Sequence, residues 1–123
     1  MNLRKAISAL LAIYIAGAVI AVADGLATVG EAVSKGTYLN APGPLIAVQA
    51  GAAFAALRGY RAGAVVLALA CTLSLAAAAF DGDVGHAGLS SMEVAFQAIQ
   101  VVAIGAVWLF ALSRIARPRP AMA

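Results

Sequence analysis

Charge is what this sequence has least of. Asp, Glu, Lys and Arg make up 11% of its 123 residues, against about 25% in an ordinary soluble domain. So few polar side chains cannot cover a water-facing globule. That argues against a soluble enzyme, a nucleic-acid binder and a disordered chain. Cysteine is nearly absent too. The lone Cys71 excludes an internal disulfide, a CxxC redox pair and a cysteine-based zinc site. No repeat, linker or low-complexity stretch divides the chain, which reads as a single domain, 1–123.

What is there is apolar. Hydrophobic residues make up 64% of the sequence, and the mean hydropathy is +1.00. Four intervals carry no charge: 6–23, 36–57, 62–80 and 94–113, of 18, 22, 19 and 20 residues. A helix needs about 20 mainly apolar residues to cross about 30 Å of hydrocarbon. Lipid offers no partner to an unpaired amide, so the crossings must be helical. The expected fold class is therefore all-α: a four-helix transmembrane bundle with helices over about 4–34, 44–59, 61–80 and 90–116. The second is the weakest. Its front half, 36–44, reads as a loop, and the helix is expected to start near Pro44. About 13 apolar residues rise only about 20 Å, so its ends or a thinned bilayer must supply the rest.

The basic residues set the orientation. Arg4, Lys5, Arg58, Arg61, Arg114, Arg117 and Arg119 fall on one side of such a bundle, and only Lys35 falls on the other. Lys and Arg gather in cytoplasmic loops, so both termini are expected inside. The acidic residues Asp24, Glu31, Asp81, Asp83 and Glu93 then lie at the outer side. The net charge of +3 is read as orientation and contact with anionic lipid, not as a nucleic-acid site. A competing reading treats the start of the chain as a signal peptide cleaved before Asp24, although its apolar run is longer than the usual 7–15 residues.

Helix ends have their own signals. Asp24, Thr28 and Glu31 recur at helical spacing, which extends the first helix to about Ser34. Ser90 and Glu93 fit a capping box at the start of the fourth. Pro118 and Pro120 end helicity in the tail. Gly17, Ala21 and Gly25 form a small-residue strip that Gly51 and Ala55 could face.

Polar groups inside lipid are the first place to look for function. The ligand-binding candidates are Asp24, Gln49, Glu93, Gln97 and Gln100, all in the outer half, with Ser74 beside them. They are expected either to converge on an outward pocket or to bond neighbouring helices. Asp81, Asp83 and His86 are weak metal candidates, since no fourth ligand lies near them and the calcium-loop pattern is not met. No phosphate loop, nucleophile–base pair or metal motif appears, so neither a cofactor nor a catalytic role is expected.

The small multidrug-resistance transporters share the size, but they depend on a glutamate inside helix one, and here no acid precedes Asp24. The vitamin K epoxide reductases need paired cysteines. In composition and layout, over its whole length, the chain resembles the uncharacterised small four-helix integral membrane proteins of high-GC actinobacteria. That likeness rests on no specific motif and implies no activity. The expected role is a structural or accessory plasma-membrane protein that forms a homo-oligomer or packs with a larger complex. The alternative is a small-solute transporter or a ligand- or lipid-binding protein.

Overall fold

The computed structural model describes residues 2–37, 39–80, 85 and 88–116. These are helical but for turns, connecting segments and an isolated bridge between Thr37 and Asn40. The helices are α1 (Leu3–Ala23), α2 (Val29–Ser34), α3 (Gly43–Leu57), α4 (Arg61–Phe80) and α5 (Ser91–Ala116). Three of them, α1, α4 and α5, are long and apolar enough to cross a membrane, and α3 is a shorter apolar helix. A third or less of each long helix faces inward. The outward faces carry large apolar side chains, among them Ile15, Val19, Leu69, Leu73, Val102 and Leu109. An apolar surface that runs round a whole bundle suits hydrocarbon and not water. The chain is a helical membrane protein.

Four helices close a ring in which α1 packs on α3, α3 on α4, α4 on α5 and α5 back on α1. The core is built from small and medium side chains. Leu3, Ile7 and Leu10 of α1 meet Ala52, Ala53 and Ala56 of α3, Leu67 and Cys71 of α4, and Ile104 and Val107 of α5. Alanine lets α3 and α4 approach closely; a Cβ on Gly63 would meet the Ala52 carbonyl oxygen at 2.8 Å.

The first helix stops earlier than its polar spacing suggests. Asp24 caps α1, and Gly25 adopts φ 76°. That left-handed turn is costly for any residue with a Cβ. The Leu26 N–H then reaches the Ala21 carbonyl at 2.8 Å and the Gly25 N–H the Val22 carbonyl at 3.2 Å, a Schellman closure. A new helix begins at Thr28. Its hydroxyl accepts from the Glu31 N–H, and the Glu31 carboxylate accepts from the Thr28 N–H. This bond holds the Glu31 carboxyl below the usual carboxylate range. The extension of the first helix to Ser34 is therefore corrected: the i, i+4, i+7 spacing of Asp24, Thr28 and Glu31 belongs to a cap, a restart and a capping box.

The short third helix has a structural complement. It starts at Gly43, one residue from the expected Pro44, with Pro42 as its N-cap. The segment 36–42 before it does not float above the bundle. Leu39 is fully buried and Asn40 nearly so. The Leu39 carbonyl packs on Gly17 of α1, and any Cβ there would collide with it. Gly17 lies six residues, about 9 Å, inside the end of α1. The chain thus re-enters the bundle before α3 begins. The expected strip of Gly17, Ala21 and Gly25 does not receive α3: Gly17 takes the Leu39 carbonyl, while Gly51 has no neighbour within 4 Å of a built Cβ.

Candidate functional site

Three polar arrangements occupy the half of the bundle that holds the ends of α1 and α4 and the start of α5. The sequence candidates divide among them.

The first is a buried chain across three helices. The Tyr14 hydroxyl of α1 donates to Gln49 Oε1 of α3 at 2.9 Å, and Gln49 Nε2 donates to Ser74 Oγ of α4 at 3.0 Å. Tyr14 and Gln49 are fully buried and Ser74 nearly so. Gln49 thus sits behind the pocket it was expected to line. Tyr14, buried in α1, supplies the partner. Interhelical bonds of this kind contribute about 0.6 kcal/mol each on average in lipid.

The second is a cavity of about 430 Å³ between the re-entrant segment, α4 and α5. Lys35, Thr37, Asn40, Ser74, Gln97 and Gln100 give it polar atoms, and Leu45, Leu73 and Ile104 give it apolar wall. Most of those polar groups are already engaged. Gln100 Nε2 donates to the Leu39 carbonyl at 2.6 Å, across 61 residues of sequence. Irregular backbone at membrane depth survives only where protein or cavity water satisfies it, and Gln100 does so here. Gln97 is buried, and its Oε1 accepts from the Gly85 N–H at 2.9 Å. Asn40 Nδ2 donates to the Ala32 carbonyl at 3.1 Å, which ties the segment to α2. The Thr37 hydroxyl donates to Asn40 Oδ1 at 2.6 Å.

The third is a carboxyl pair at the α1 and α5 ends. The expected capping box forms: Ser90 N–H donates to Glu93 Oε1 at 2.7 Å, and the Glu93 N–H donates to Ser90 Oγ at 3.2 Å. Glu93 is 7% exposed, and among the described residues its Oε2 has no partner unless the neighbouring Asp24 carboxyl keeps a proton. The exposed Asp24 carboxyl stands beside it. Two carboxylates offer each other no hydrogen unless one keeps a proton. The Glu93 neighbour accordingly raises the Asp24 carboxyl above its ordinary value, first through the shared hydrogen bond and then through desolvation and like charge.

The candidates thus divide between the two expected arrangements, a pocket and bonds between helices. Gln97 and Gln100 share the cavity; Gln49 belongs to the chain behind it; Asp24 and Glu93 form a separate pair. Asp81, Asp83 and His86 lie outside the described residues. Among the described residues, no three His, Cys, Asp or Glu side chains group as metal ligands. Sequence reasoning missed Lys35, Thr37 and Asn40 as wall residues. Thr37 and Asn40 sit inside a charge-free interval, yet their turn-forming neighbours made the segment look solvated. Trp108 donates its indole N–H to Thr72 Oγ1 at 3.1 Å and ties α5 to α4.

No protein-family model matches the sequence, and comparison with curated proteins and with solved structures returns no match.

Proposed function

We propose that the chain is a multi-pass plasma-membrane protein with four crossings and both ends in the cytoplasm. In this reading it is a structural or accessory subunit that self-associates or packs with a larger membrane complex, with no catalytic role. The observation that carries it is the engagement of the polar interior. Gln49, Gln97 and Gln100 each bond another part of the same chain. Groups spent in this way hold helices and a re-entrant segment in register. The outward faces of α1, α4 and α5 are broad and apolar, which suits lipid or a neighbouring subunit equally.

Chemical cross-linking in native membranes, followed by native mass spectrometry from mild detergent, tests this. The expected result is a defined oligomer or a stoichiometric partner. A protein that remains a bare monomer in both measurements contradicts the accessory role.

A second reading rests on the 430 Å³ cavity, which is large enough for a small polar solute or headgroup. The paired substitution Gln97→Leu and Gln100→Leu separates the two. If the variant still inserts and assembles but loses a ligand-dependent phenotype, the binding reading replaces the accessory one.

A further inference from the structure

A second recess lies at the opposite end of the bundle, where α1 begins and α3 and α5 end. Its volume is about 590 Å³, and its lining is Asn2, Arg4, Phe54, Leu57, Arg58 and Arg114. We propose that this recess is a binding site for the phosphate of an anionic membrane lipid, with the acyl chains lying along Phe54 and Leu57. The proposal rests on the chain being a membrane protein. It does not depend on the accessory role.

Three arginines line the recess, Arg4 from α1, Arg58 from the end of α3 and Arg114 from α5. Arg114 is fixed by the fold: its Nη1 donates to the Ala56 carbonyl at 2.9 Å, at the C-terminal end of α3. That contact uses one donor and leaves the rest of the planar fork available. Arg58 lies over the Phe54 ring, 5.5 Å from its centroid, which restrains a side chain that would otherwise sweep solvent. Arg4 is exposed in the first turn of α1. Asn2 spends its Oδ1 on the Lys5 N–H at 3.0 Å, so its amide N–H₂ remains a further donor. Among the described residues, no carboxylate lines the recess. Asp24 and Glu93 mark the far ends of α1 and α5, and Glu31 lies in α2 beyond the end of α1. Three like charges brought together without a counter-charge repel one another, and an anion relieves that. Guanidinium forks match phosphate oxygens in pairs.

The apolar lining separates a lipid from free phosphate. Phe54 is 62% exposed and Leu57 37%, beside the three cations. A soluble phosphate gains nothing from these side chains, whereas a phospholipid presents charge and hydrocarbon in the same order. A topology signal needs basic residues in a loop; it does not need them around a recess with an apolar wall.

The test uses the full chain in phosphatidylcholine nanodiscs doped with phosphatidylglycerol. Retention of each lipid is measured by native mass spectrometry after extraction. The wild type is expected to retain phosphatidylglycerol selectively. Arg4→Gln with Arg58→Gln removes two exposed cations and should cut that preference roughly 30-fold, about fivefold for each cation near an anionic headgroup. Arg61→Gln, also exposed but outside the recess, should leave the preference unchanged. Equal retention of both lipids by the wild type overturns the proposal, and so does an equal loss in the Arg61 variant. If millimolar inorganic phosphate displaces the lipid, the phosphate recognition stands and the lipid source is overturned. A chain that will not enter the nanodisc at all contradicts the membrane reading instead.

Discussion

Asp24 shows how far a single residue's role depends on what folds against it. In the sequence it is an acid at the end of an apolar run. In the structure it caps α1 and faces Glu93, whose Oε2 has no other donor. A carboxyl whose folded value is raised contributes stability below its ordinary range and loses that contribution as pH rises through the raised value. The Asp24 side-chain carboxyl carbon, followed by NMR, should therefore titrate above an ordinary aspartate. Glu93→Gln removes the like charge, and the midpoint should return toward the ordinary value. Identical titration in the two proteins contradicts the pairing. Gln49 makes a similar point without charge. Its position in an apolar helix was plain in the sequence, but its partners Tyr14 and Ser74 lie 35 and 25 residues away. Helix spacing within one segment cannot reveal a bond that depends on which helices become neighbours.

At the scale of elements, the hydrocarbon-length runs were legible because lipid imposes one length on every crossing. The starts of α3 and α5 were legible as well, from Pro44 and from the Ser90–Glu93 pair. The end of α1 was not. The Asp24, Thr28 and Glu31 spacing outweighed Gly25, although a glycine after an apolar run is itself a stop signal. The re-entry of 36–42 was also hidden. Its Gly, Pro and Asn content speaks of turns and says nothing of depth. Only the contact of the Leu39 carbonyl with Gly17, and its bond from Gln100, place it inside the bundle. This wedge offers the missing length of the short α3. Gly17→Ala should displace the carbonyl and cost about 1–3 kcal/mol, as overpacking of a filled core does. Gln100→Leu removes the donor to the same atom. The two effects should be less than additive, because both act on one contact. Unfolding of the single and double variants in mixed micelles measures this. Full additivity contradicts a shared role in holding the segment.

For the whole molecule, two opposite ends have opposite chemistry. Asp24, Glu31 and Glu93 mark the end that holds the re-entrant segment, and Arg4, Arg58, Arg61 and Arg114 mark the other. The ring of α1, α3, α4 and α5 requires the Arg58–Arg61 turn to lie at the same end as the start of α1 and the end of α5. The proposed orientation in the cell rests on that segregation and on the positive-inside tendency. Labelling of introduced cysteines in intact cells tests it most directly, since the native Cys71 is buried. Thr28→Cys, Tyr60→Cys and Ala116→Cys each place a thiol at an exposed position. A membrane-impermeant maleimide should label position 28 in intact cells, and positions 60 and 116 only after permeabilisation. Label at position 60 or 116 in intact cells, or protection of position 28, contradicts a chain that crosses the bilayer four times with its cations inside.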